Sequence, residues 1–224
     1  MIVGELKPID ELLKMIDGYN TILIAGCRGC VTVCNTGGEK EVSILASALR
    51  MAGRKEGKPV MIDEITLERQ CDHYFVSSLR DLFEKKTYDA VVSLACSIGP
   101  QYIAEEFDNI IVLPGLNTVF MGGPVEQGIW AEYCSACGEC QIHNFGGMCP
   151  VTRCAKGLLN GPCGGSFNGK CEIDNTTDCV WELIYKRLKK LGQLDLLSEL
   201  IRPKDWSKSL SGGPRKMIRE DLML

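Results

Sequence analysis

Histidine is nearly absent from this chain: 224 residues contain two, His73 and His143. Mixed cysteine–histidine metal sites therefore have little to draw on. Basic excess is missing as well. The formal net charge is -4 and the isoelectric point about 5.4, so no overall positive field favours nucleic acid or an anionic membrane surface. Long apolar runs are lacking, since pieces such as TILIAG and IIVLPGL fall well short of the roughly 18 residues that span a bilayer. The opening MIVGELKPIDELL has no basic stretch followed by an apolar one, so no export signal is read and a cytoplasmic protein is expected.

What the chain has is cysteine. There are thirteen, and eight of them lie between Cys134 and Cys179. The stretch opens CSACGEC, so Cys134, Cys137 and Cys140 recur every third residue and one short loop can offer three thiolates to an iron-sulfur cube. A zinc knuckle needs only two sulfurs from such a loop. Cys149, Cys154, Cys163, Cys171 and Cys179 follow, joined by the glycine-rich links FGGMCP, KGLLNGPCGGS and NGKC. Glycines such as Gly138, Gly164 and Gly165 would let backbone approach a cluster closely, adopt positive φ and aim amides at sulfur. Eight thiolates suffice for two four-cysteine sites. Disulfides are the competing use of an even cysteine set, but they belong to exported proteins. Structural zinc is the stronger competitor.

A hydrophobic content of 45% with 24% charged residues describes a globular chain with material for a sizeable core. From Pro8 to Gly18 the apolar residues Ile9, Leu12, Leu13 and Ile16 share a helical face. TILIAG reads as a buried strand, residues 39–52 as a helix and KPVMIDEI as a second strand. A long helix is predicted from Thr66 to Lys86, then a strand in YDAVVSLAC, a helix in SIGPQYIAEEF and a strand in NIIVLPG. Strands alternating with helices imply right-handed crossovers and an open parallel sheet of the Rossmann-like or flavodoxin-like kind.

Ligands of such sheets sit at the carboxyl ends of the strands, where strand order reverses. The first strand leads into GCRGCVTVC, which places Cys27, Cys30 and Cys34 where a nucleotide-binding fold holds phosphate. Gly26 and Gly29 are present there, but the third glycine of the dinucleotide fingerprint is missing. Cys96 ends the third strand and Cys71 lies near the start of the helix after the second, so five cysteines are expected at one edge. Cys27, Cys30, Cys34 and Cys96 are the first choice as cluster ligands, with Cys71 in reserve. Either Cys71 or Cys96 could instead be a small buried hydrophobe. A redox dithiol at Cys27 and Cys30 is a further option, though it has no use for three more sulfurs nearby.

LNTVFMGGPVEQGIWAEY reads as turn-rich, and the boundary is expected near Gly122 to Gly128. The expected division is 1–122 for the α/β domain, 123–201 for a loop-dominated cysteine module with a helix, and 202–224 for a tail. The helix of the second part begins at Asp178 and Cys179, runs through VWELIYKRLKKLG and stops at Gly192, with one or two more turns in LDLLSELI. The tail is either solvated or docks a partner through Trp206, Leu222, Met223 and Leu224.

Taken together, GCRGCVTVC-NTGGEKEV, LERQC, DAVVSLAC, PGLNTVF, EYCSACGEC, GGMCPVTRCAKGLLNGPCGGS, NGKCE, DCVWELIYKRL and PKDWS resemble one family over nearly the whole chain. It is the small cysteine-rich subunit of two-subunit methylenetetrahydrofolate reductases, also found as a C-terminal extension bearing that reductase's name. The resemblance implies an iron-sulfur subunit, with about two to three [4Fe-4S] clusters and zinc as an option at one site. It also implies a partner, a (β/α)8 reductase subunit carrying FMN. In acetogenic anaerobes the small subunit would relay electrons to that flavin from an upstream donor, within one-carbon metabolism of the acetyl-CoA pathway. A (β/α)8 barrel takes about 250 residues, so the folate chemistry would lie outside this chain and this one would be an accessory, non-catalytic subunit. The alternative is a zinc-containing structural adaptor that docks the reductase to its electron donor.

Overall fold

The computed structural model describes residues 1–210 and 213–223; Leu224, one of the residues given to partner docking, lies outside them, as does the side chain of Leu222. The chain divides into two compact units, Met1–Trp130 and Ala131–Leu224.

The first unit is built on four parallel strands, β2 (Thr21–Cys27), β3 (Met61–Leu67), β4 (Ala90–Leu94) and β5 (Ile111–Pro114). Their order in the sheet is β3-β2-β4-β5, so strand order reverses between β2 and β4. Side chains alternate across β2, and both faces are buried. Ile22 and Ile24 pack with Val42, Leu45, Ala46 and Leu49 of α3 (Glu39–Lys55), joined by Leu12 and Ile16 from around α1 (Ile9–Met15). Leu23 and Ala25 pack on the other side with Val76, Leu79, Ile103 and Phe107. A strand covered on both faces reads as a continuous apolar run, which is why TILIA gives no alternation in the sequence.

Between β3 and β4 the expected long helix is replaced by more strand and two short helices, α4 (His73–Ser77) and α5 (Arg80–Lys85). Thr66 and Leu67 stay in the sheet because they pair with Gly26 and Cys27. Asp72 then starts α4 by accepting a hydrogen bond from the Tyr74 N–H at 3.1 Å. Ser77 and Ser78 donate to the carbonyls of Tyr74 and Phe75, and this local bonding competes with helix continuation. The helix after β4, α6 (Ile98–Glu106), falls where the apolar spacing places it.

A second correction concerns the stretch read as turn-rich. It forms β6 (Leu116–Glu126) and β7 (Ile129–Cys134), with Gly128 at φ 81° in the turn between them. β6 pairs antiparallel with β1 (Ile2–Leu6), Leu6 opposite Leu116 and Ile2 opposite Met121, in a sheet of order β1-β6-β7. Local composition misleads here because the pairing partner lies more than a hundred residues away in the chain.

The second unit has a core of its own and, among the described residues, two α-helices, the first being the short α7 (Pro150–Arg153). α8 (Val180–Leu191) buries Val180, Trp181, Ile184 and Leu188 against Phe145, whose ring meets Trp181 edge-on at 5.6 Å between centroids. Gly192 ends the helix at φ 67°, with hydrogen bonds from Gly192 N–H to Lys189 O and from Gln193 N–H to Leu188 O that satisfy the last carbonyls. Residues Leu194–Ser198 form a 3-10 turn in the place of the additional helical turns expected. No helix among the described residues is long and apolar enough to cross a membrane.

Gln70 ties the strand ends of the first unit together. Its side chain is fully buried, donates to the carbonyls of Ala25 and Gly26 at 2.8 and 2.9 Å, and accepts from the Ser93 hydroxyl at 2.6 Å. Gln70→Ala would leave buried polar groups on β2 and β4 unpaired, each costing about 1–3 kcal/mol. The expected outcome is a loss of roughly 2–4 kcal/mol of stability, read by urea unfolding. An unchanged midpoint would contradict the linking role.

Candidate metal centres

Two cysteines of the first unit lie at the reversal point of the sheet. Cys27 is the last residue of β2, and Cys96 follows β4 by two residues. The loop after β2 can pass close to β4 because position 37 is glycine: a Cβ there would lie 2.0 Å from the Leu94 carbonyl oxygen. The Gly37 carbonyl in turn accepts from the Cys27 N–H at 2.8 Å. Gly26 serves close packing, since a Cβ would meet Val42, Gly37 and Thr66 within 3 Å. Gly29, beside the Cys27 sulfur, precedes α2 (Cys30–Val33).

Burial pushes the Cys96 thiol up; the amides of Ile98 and Gly99 bond its sulfur and act against this, while the nearby sulfurs of Cys71 and Cys27 raise it further. Three sulfurs, Cys27, Cys71 and Cys96, are thus electrostatic neighbours. Cys71 is exposed in the loop before α4 and Cys30 is half-buried at the start of α2. Cys34 is placed differently. It is buried, and its thiol lies 3.5 Å from the Ile2 carbonyl of β1 and 3.4 Å from the Cys30 carbonyl, in donor geometry to both.

In the second unit four cysteines, Cys154, Cys163, Cys171 and Cys179, line one small cavity together with Arg153, Lys156, Glu172 and Trp181. Local chain geometry explains how they come there. Phe167 and Lys170 pair across a tight turn in which Asn168 and Gly169 both have positive φ, 50° and 80°. Cys179 N–H then donates to Gly169 O at 2.8 Å and Cys171 N–H to Thr177 O at 2.9 Å, which fixes two of the four sulfurs to one loop. The Gly165 N–H points at Cys163 Sγ, 3.4 Å away, and a Cβ at Gly165 would collide with the Glu172 carboxylate. Gly164 sits at φ 78° with open space around it. Glu172 pairs with Lys156, which holds the carboxyl below its ordinary range; a bond from the Cys163 thiol adds to the effect.

The CSACGEC loop leaves β7 at Cys134. Ala136 and Gly138 both take positive φ, 51° and 81°, and the Ala136 N–H lies 3.4 Å from Cys134 Sγ. Thr152 Oγ1 connects this loop to the next cysteine, lying 3.7 Å from Cys149 Sγ and 3.3 Å from Ser135 Oγ. Cys137 is half-buried and Cys140 exposed.

The tail is bound to this same loop, a contact the sequence reading missed. Lys204, with only 1% of its side chain exposed, donates to the Glu139 carbonyl, and Arg215 donates to the Ala136 carbonyl at 2.9 Å. A Cβ on Gly138 would lie 2.1 Å from the Lys208 carbonyl oxygen. Gly138→Ala is therefore expected to release the tail, seen as trypsin cleavage at Lys208 and Arg215 several-fold faster than in the unsubstituted chain. Equal cleavage rates would mean that the contact does not hold the tail. Trp206, in a 3-10 turn of this segment, is half exposed, and Met223 more so.

All thirteen cysteines are free thiols, and no group of three or more Cys, His, Asp or Glu side chains that could hold a metal ion occurs among the described residues. The donor set nonetheless suits a multi-iron cluster. Each thiolate of such a cluster binds a different iron atom, so its ligands surround a space rather than gather at one point.

Residues 113–207 match the family model described as methylene-tetrahydrofolate reductase C terminal. The match takes in β6, β7, all eight cysteines from Cys134 to Cys179, α8 and the tail as far as Ser207, and relates this part of the chain to that reductase. No curated protein and no solved structure gives a significant match.

Proposed function

We propose that this chain is an iron-sulfur electron-transfer subunit of a methylenetetrahydrofolate reductase, relaying electrons to the flavin of a (β/α)8 partner subunit in one-carbon metabolism. The observation that carries the reading is the cavity lined by Cys154, Cys163, Cys171 and Cys179, inside the segment similar to that reductase's C-terminal region. These four would hold one [4Fe-4S] cluster. Cys134, Cys137 and Cys140 would hold a second with Cys149, the cysteine that Thr152 links to their loop. In the first unit Cys27 and Cys71, which lie near Cys96, would join it as ligands, with Cys30 at the start of α2 as the fourth and Cys34 turned to β1.

A bound cluster supplies one-electron storage with little structural change. The chain's own residues set the surroundings. Amides directed at Cys96, Cys134 and Cys163 stabilise added negative charge on sulfur, and Lys156 lies close enough to Cys163 and Cys171 for their charge to raise its own pKa, after the larger effect of its bond to Glu172. The first unit has four parallel strands where a (β/α)8 barrel has eight, and the folate and flavin chemistry is assigned to the barrel partner.

Anaerobic purification followed by iron and sulfide analysis tests the reading. About eight to twelve irons per chain, with matching sulfide and a broad brown absorbance that bleaches on reduction, are expected. A colourless protein containing zinc alone would make it the structural adaptor.

A further inference from the structure

Trp181 is 4% exposed, and its indole N–H is shielded from water with no hydrogen-bond partner among the described residues. A buried donor of this kind is uncommon, because leaving it unpaired costs free energy that a neighbouring acceptor would recover. Phe145 and the Trp181 ring pack T-shaped, with centroids 5.6 Å apart, and no nitrogen or oxygen acceptor among the described residues reaches the indole N–H. Trp181 lines two cavities. One, about 750 Å³ and walled by Leu159, Tyr185, Leu196, Leu197 and Leu200, opens to solvent. An indole nitrogen facing that space would be wetted, and this one is not. The other is the small cavity of Cys154, Cys163, Cys171 and Cys179. Trp181 also belongs to the first turn of α8, which opens at Cys179, so the positive end of the helix dipole stands beside the same thiolates.

We propose that the Trp181 indole N–H donates a hydrogen bond to a sulfur of the cluster held by Cys154, Cys163, Cys171 and Cys179, and thereby raises that cluster's reduction potential. The inference rests on the cluster reading given above. Reduction adds an electron whose charge spreads onto the sulfurs, so a donor aimed at them favours the reduced state. No other side chain lining the cavity brings an N–H that is both buried and unpartnered among the described residues.

The test uses the full chain, purified anaerobically and containing tryptophan labelled with 15N only at the indole nitrogen. Trp130, Trp181 and Trp206 are the three tryptophans, so single substitutions assign any signal. In the dithionite-reduced protein, pulsed electron-nuclear spectroscopy is expected to show one weak 15N coupling to a cluster. The coupling should disappear in Trp181→Phe and persist in Trp206→Phe. Trp181→Phe should keep its iron and sulfide, while the midpoint potential of one cluster moves to more negative values. If Trp181→Phe does not fold, loss of the coupling in Cys163→Ala, with the remaining clusters present, serves the same purpose. A chain with full iron and sulfide but no 15N coupling, or with unchanged potentials in Trp181→Phe, overturns the role of Trp181 and leaves the cluster reading standing. A chain devoid of iron and sulfide overturns both.

Discussion

Cys163→Ala is expected to remove one complete cluster, about four irons and four sulfides per chain, while the other clusters remain. Cys163 lies on a glycine-rich loop whose Gly165 amide meets its sulfur, and no element of the hydrophobic core passes through it. Its substitution therefore removes a ligand without opening a cavity among Phe145, Trp181, Ile184 and Leu188. Cys154→Ala, Cys171→Ala and Cys179→Ala should each lose the same cluster and no other, because the four sulfurs line one cavity. Iron and sulfide assays on the four variants, with the reduced spectra of the remaining clusters, check the grouping. A variant pair in which two different clusters vanish would break it.

In the first unit, Cys71→Ala should cost one cluster and Cys34→Ala should cost none. The sulfurs of Cys71 and Cys27 are close enough to Cys96 to raise its pKa, on top of the larger effect of burial, whereas the Cys34 thiol is directed at the Ile2 and Cys30 carbonyls. Cys34→Ala would remove a weak bond and a small buried volume, a change of about 1 kcal/mol in stability. Full iron in Cys71→Ala together with reduced iron in Cys34→Ala would restore the set Cys27, Cys30, Cys34 and Cys96.

The parallel sheet was legible because its central strands β2 and β4 are short apolar runs and a helix with a clear face, as in the residues of α3, follows TILIAG. The end of α8 could be read from Gly192 alone, since only glycine accepts its φ of 67° without strain. β1 and β6 were not legible. Their partners are remote, and the glycines and proline of MGGPVE suggest a turn to any local reading. The two-helix break at Ser77 and Ser78 depends on hydroxyl-to-carbonyl bonds that a hydrophobic pattern does not encode.

Cysteine spacing proposes the donors but does not group them. Three sulfurs in CSACGEC share a loop in sequence, yet their link to Cys149 runs through Thr152, and of the four later cysteines Cys171 and Cys179 are fixed by the loop that the Asn168–Gly169 turn opens. The choice between Cys34 and Cys71 depends on which thiol β1 occupies, and β1 was itself missed. The tail's polar residues left solvation and docking on a partner equally open; Lys204 is buried because the Glu139 carbonyl accepts from its ammonium group.

The most direct measurement of the relay role is the rate at which a low-potential donor, a reduced ferredoxin or dye, reduces the flavin of the barrel subunit with and without this chain. The account predicts fast flavin reduction only in the complex, with slowing when Cys163→Ala replaces the unsubstituted chain. Equal rates in its presence and absence, for every donor tried, would contradict it.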